Sequence, residues 1–321
     1  MNIPAKDWSQ SGRGRRHPVT AWTYSAGSHP TALDVDLESG DVAIVTADEH
    51  LHLLAPDGSR RRDPLSNCAG PAMDWADTAI GGVIQLGPRR AGWVTHHGVV
   101  QWVVDCHNDI LDVATSPFGN AIAISFSARQ HVVLDSNQQP IGEFTSIRPL
   151  KHLRLVPRRP VIIGSADTGV LSSHTIAGDD RWSQQIWTNV GGLDINGNGR
   201  TALLAAYNHG VQRFNNRGRS LGFYDIGGTV HIASISYIGT IIATATMEER
   251  FVLIDRDGTI LWQATIPEPV SAIRCGPFGE HVVLGFASGL IQCLKWPPWS
   301  TSRPSPPTES DSYKHLPQQT R

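Results

Sequence analysis

Six polar residues of the chain, Asp34, Asp74, Arg154, Asp194, Ser234 and Arg274, differ in position by multiples of 40. Asp112 comes two residues early but sits in the similar triplet Leu111-Asp112-Val113. Apolar neighbours such as Leu33 and Val35, or Leu193 and Ile195, flank these positions, so on a strand each polar side chain points away from its neighbours. Gathered around one axis they make a ring of four aspartates, two arginines and one serine. Carboxylates so placed can hold a cation or a small polar ligand, and the arc Asp34, Asp74, Asp112 is the candidate metal site. The arginines oppose that chemistry. In ring order Arg154 falls between Asp112 and Asp194, and Arg274 between Ser234 and Asp34, whereas Asp74 is flanked by two acids.

Other reactive groupings are sparse. Asp105-Cys106-His107-Asn108-Asp109 collects metal-capable side chains, yet adjacent residues on one loop rarely converge on one ion. No serine sits in a nucleophile elbow, and no phosphate loop or CxxC pair occurs. No catalytic residue and no cofactor site is therefore assigned. Cys68, Cys106, Cys275 and Cys293 are too few and too scattered for a disulfide framework. A formal charge of −2 exerts no general pull on nucleic acid or anionic membrane. The first residues lack an apolar leader and no run of 18 apolar residues occurs, which gives a cytoplasmic expectation.

The elements that position the ring carry the same period. Tight-turn glycines stand at Gly58, Gly98, Gly178, Gly218 and Gly258, and a tryptophan follows four residues later at Trp102, Trp182 and Trp262. Trp22 falls in phase with these. Gly119, Gly199, Gly239 and Gly279 each precede short apolar runs such as Ile241–Thr246 and Val282–Phe286, apolar at nearly every position. A strand needs that only when both faces of its sheet are covered. Four short strands per 40 residues, buried on both faces, predict an all-β fold. The expectation is a seven-bladed β-propeller over residues 18–297, with four antiparallel strands per blade. The strand near Val19 completes the last blade and removes an open edge. Residues 1–17 and the Pro/Ser-rich residues 298–321 read as disordered tails. Trp8 and Trp299 in them are expected to be exposed, and Trp22, Trp102, Trp182 and Trp262 buried between blades.

The blades resemble the broad propeller superfamily of WD-type and quinoprotein-type repeats. Leu253–Trp262 is similar to a quinoprotein repeat, in which Gly-x-x-x-Trp docks the tryptophan between blades, and Gly98 with Trp102 and Gly178 with Trp182 match it. The resemblance implies the propeller fold and leaves activity open.

In propeller order, half of the loops share one face of the disc. That face is expected to bind a protein partner through Arg89, Arg90, Arg129, His209, Glu248, Glu249 and Arg250. The resulting expectation is a non-catalytic scaffold, monomeric outside a complex, with no membrane or nucleic-acid partner. The competing reading is a propeller enzyme, a lactonase-like hydrolase or an oxidoreductase, with a metal in the axial channel.

Overall fold

The computed structural model describes residues 8–15, 17–78 and 80–296; the expectations for 298–321, Trp299 included, lie outside them. The fold is all-β, and its helical content among the described residues is two short 3-10 turns, Trp8–Gln10 and Tyr207–His209. None of the helices described is long and apolar enough to cross a membrane.

The strands pair antiparallel in six sheets, four of them four-stranded. A seven-stranded sheet arises because Asp180–Ile195 runs without a loop from one group into the next. Its first part pairs with Thr168–Thr175 and its last part with Thr201–Ala206. Split there, the strands form seven groups of four, which we number as blades in order of their innermost strands. Those are Pro30–Val35, Met73–Trp75, Ile110–Thr115, His152–Leu155, the end of Asp180–Ile195, Val230–Ile235 and Val270–Cys275. The outermost strand of blade 7 is Val19–Ser25, which pairs with Leu290–Lys295.

The second strand of each blade explains why the sequence reads apolar at every position. Val42–Thr46, Ile122–Phe126, Val161–Ser165 and Ile241–Thr246 are buried throughout. One face packs on the preceding blade and the other on the next, so the core is a series of inter-blade clusters such as Val83, Trp93, Val113, Ile122 and Ile124.

Two expectations are corrected. Blade 1 has only a two-residue outer strand, Leu65–Ser66, later than the period places it. Arg60–Arg62 make irregular bonds instead: Arg61 donates its N–H to Leu53, and Arg62 reaches the carbonyls of His97 and Gly98 in blade 2. The larger correction concerns the N-terminus. Trp8 is 1% exposed, wedged among Phe251, Trp262 and Phe286 between blades 6 and 7. Arg13–Gly14 then adds a fifth strand to blade 6, opposite Trp262 and Gln263. Gly12 permits this path, because a Cβ there would collide with the Trp262 indole. Residues 8–15 are thus part of the fold, since one buried tryptophan outweighs the ordering of a few polar residues.

The repeated tryptophans divide. Trp262 and Trp22 are buried, and Trp102 and Trp182 are half-buried. Trp22 and Trp182 each donate the indole N–H to a turn carbonyl of the next blade, Pro56 and Asn216 respectively. Trp102 instead stacks on Trp93 of its own blade.

Candidate functional site

The polar residues of the 40-residue series meet at the axis, where each innermost strand hands one side chain to the next. The Oδ2 of Asp34 accepts the N–H of Trp75 at 2.8 Å, and that of Asp74 accepts Thr115 at 2.7 Å. Asp112 accepts Leu153 at 2.7 Å, Asp194 accepts Ile235 at 2.8 Å, and the Ser234 hydroxyl accepts Cys275 at 3.1 Å. Every one of these bonds spans 41 residues. The second oxygen of Asp34, Asp112 and Asp194 accepts the N–H of the following residue on its own strand.

The arginines serve the two junctions that lack such a bond. Arg274 Nε donates to Asp34 Oδ1 at 2.8 Å, from blade 7 to blade 1. Arg154 sits 3.8 Å from Asp194, 3.9 Å from Asp112 and 4.0 Å from Asp74. Asp74 therefore has an arginine at its side after all, because the Arg154 stem is long enough to pass over Asp112 toward it. Two funnels meet at the ring, one lined by Leu37, Asp77, Pro117 and Tyr237, the other by Pro71, Lys151 and His152. Arg154 and Arg274 line both.

Electrostatics follow from burial. Burial raises the Asp74 carboxyl well above the ordinary aspartate range, with Asp34 adding to the rise and Arg154 opposing it. Burial lifts Asp112 to about 6 against the pull of Arg154. Burial also lifts Asp77, beside the ring, to about 7, with Asp34 and Asp36 contributing. For Arg274, burial acts to lower the value, but Asp34 and Asp194 outweigh it and the guanidinium is held more firmly protonated than usual. With their oxygens engaged by backbone N–H groups, the ring carboxylates act as struts between blades. Among the described residues no three His, Cys, Asp or Glu side chains group to hold a metal.

Of the seven loop residues proposed from sequence, Arg89, Arg90, Glu248 and Arg250 have side chains engaged by neighbouring residues. Arg89 pairs with Asp109 at 2.7 Å and Arg90 with Asp105 at 2.8 Å. Glu248 accepts the Thr229 N–H, which pulls its carboxyl down to about 2. Arg250 bonds the Ile226 carbonyl and the Gln263 side chain, and Glu249 accepts the Ile266 N–H through its carbonyl. Arg129 and His209 are exposed. The structure brings His209 into a shallow pocket with Arg148, Gln185, Trp187 and Asn208. It does not bring Arg89, Arg90 and Arg129 into that pocket.

Sequence reasoning missed Trp187. It lies where blade 4 passes into blade 5 without a loop, and 82% of it is exposed. Ile147 on the preceding junction is 65% exposed. The available signal was phase: Trp187 is five residues past the tryptophan slot at Trp182, at a position that holds Gly27, Asn67, His107, Gly227 and Pro267 in five other blades.

No family model matches the chain, and no curated protein matches it in sequence. Solved structures do: 1807 chains match, so many that shape singles out no function. One is the beta-propeller domain of Cps50 (Swd1) from Myceliophteria thermophila, with a TM-score of 0.75 and 13% identity, covering 87% of this chain and 99% of that one. At that identity the likeness speaks for the fold alone, an all-β propeller.

Proposed function

We propose that this chain is a non-catalytic scaffold: a seven-bladed ring, closed by its own N-terminal strand, that binds a protein partner through the face bearing Trp187. One observation carries the reading, the 82% exposure of Trp187 on the continuous strand Asp180–Ile195, between the part that pairs with Thr168–Thr175 and the part that pairs with Thr201–Ala206. A tryptophan side chain has only two torsions to fix on binding, and exposed tryptophans dominate interface energetics. His209, Asn208 and Gln185 supply polar groups around it, and Ile147 extends the apolar area. The architecture supports the same reading, since propeller loops present side chains on a stiff frame. The enzyme reading needs axial carboxylates open to a substrate or ion. Those of Asp34, Asp74, Asp112 and Asp194 each already hold a neighbouring N–H.

The test compares proteins co-purifying with the wild type and with Trp187→Ala from the native host. The reading requires a partner lost with Trp187→Ala while the variant melts like the wild type. Unchanged recovery of every partner would overturn it.

A further inference from the structure

Tyr24, Val104, Phe144, Tyr224 and Ala264, at steps of 40 or multiples of it, lie on the outermost strands and face the cleft toward the next blade. Three of these slots are aromatic and fill their cleft. Tyr24 bonds His52 of blade 1 at 2.8 Å, Phe144 stacks on His174 of blade 4, and Tyr224 bonds the Arg256 carbonyl of blade 6. At two junctions the slot holds Pro64 or Gln184, and Cys68 or Ile186 is the buried side chain there. In blade 6 the slot holds Ala264, too small to fill the cleft, and Trp8 occupies the space. Its indole N–H bonds Gln292, the residue 240 positions on from His52, so the strap reproduces the Tyr24–His52 contact from outside the repeat.

Blade 2 carries Val104 at the slot, and among the described residues no strap comes to it. An apolar groove remains, walled by Val104, Cys106, Phe126 and Val132. The outer strand beside it, Val100–Asp105, ends its sheet, with Val103 42% exposed. The corresponding edge of blade 6 is the one covered by Arg13–Gly14.

We propose that the cleft between blades 2 and 3 is a docking slot for a partner polypeptide bound as the chain's own residues 8–15 are bound between blades 6 and 7. The occupant is an extended segment that inserts one aromatic side chain beside Val104 and Val132. It adds a short strand to the edge at Trp102 and Val103 and carries arginine after the aromatic, as Arg13 and Arg15 follow Trp8. Glu143 on the groove wall supplies the opposite charge. This rim site is separate from the Trp187 face and stands or falls independently of it.

The probe is a fluorescein-labelled peptide of residues 5–17, titrated into the full-length protein, whose own strap already fills the blade 6–7 cleft. The expected result is saturable binding. It weakens at least about 10-fold when the peptide's tryptophan is alanine, and equally when the protein carries Val104→Phe, which fills the slot as Phe144 does. Trp187→Ala leaves it unchanged. Should Val104→Phe fail to fold, Val132→Phe fills the same space from the opposite wall and must give the same loss. Absence of binding at about 1 mM peptide, or wild-type binding by a folded slot-filling variant, overturns the proposal.

Discussion

The indole Nε1 of Trp8 donates to Gln292 Oε1 at 2.8 Å, a buried bond between residues 284 apart. Gln292 in turn reaches Thr20 on the strand that completes blade 7. Strap, closing strand and last blade therefore share one polar contact inside an aromatic cluster. Trp8→Ala is expected to cost about 3–5 kcal/mol in denaturant unfolding, through lost packing plus the cavity left behind. Trp8→Phe keeps most of the packing and strands the Gln292 oxygen, so a smaller cost of about 1–3 kcal/mol is expected. A loss below about 0.5 kcal/mol for Trp8→Ala would contradict the wedge.

Deletion of residues 1–27 removes both the wedge and the partner of Leu290–Lys295, leaving an open strand edge. The shortened chain is expected to self-associate at concentrations where the full chain stays monodisperse in sedimentation velocity. A monodisperse deletion variant with an unchanged melting temperature would contradict the role given to the N-terminal strand.

The axial ring predicts coupling between Arg274 and Asp34, whose side chains are only 17% and 11% exposed. Removing either partner leaves a buried charge uncompensated, at a cost of about 3–5 kcal/mol. The Arg274→Met, Asp34→Asn double variant is expected to lose less than the sum of the singles by about 1–3 kcal/mol. Additive losses in a double-mutant cycle would show that the pair does not join blades 7 and 1.

Much of this fold was legible because the period of 40 repeats both turn glycines and axial residues. The Asp-to-backbone bonds were not, since a side chain's acceptor role toward a strand 41 residues away leaves no composition signal. Trp8 escaped for a different reason. Its surroundings, Ser9-Gln10-Ser11-Gly12-Arg13, look like a solvated tail, and the hint of a missing filler is Ala264, a small residue where Tyr24, Phe144 and Tyr224 stand in other blades. Trp187 was marked by its phase alone, at a position where most other blades hold Gly, Asn, His or Pro, and residue type does not separate an exposed tryptophan from a buried one in a chain that has ten.

Asp77 gives a pH-dependent prediction. Its folded value of about 7 lies above the ordinary 3.8, so the fold favours the protonated form. Stability from this group is full below pH 3.8 and is lost as pH rises through 7. Asp77→Asn removes that loss. The variant is expected to be more stable than the wild type at pH 8, by on the order of a few kcal/mol, with the advantage shrinking steadily toward zero by about pH 4. Equal stability at pH 8, or an advantage confined to pH 5, would contradict the burial assigned to this carboxyl.

The scaffold claim is tested most directly by placing a photo-crosslinking amino acid at position 187 and, as a control on the opposite face, at Phe118, which is 71% exposed. Both proteins are expressed in the native host, irradiated and resolved by mass spectrometry. The account predicts a discrete crosslinked protein partner from position 187 that is absent from position 118. Crosslinking at neither position, or the same adducts from both, would contradict a partner-binding face centred on Trp187.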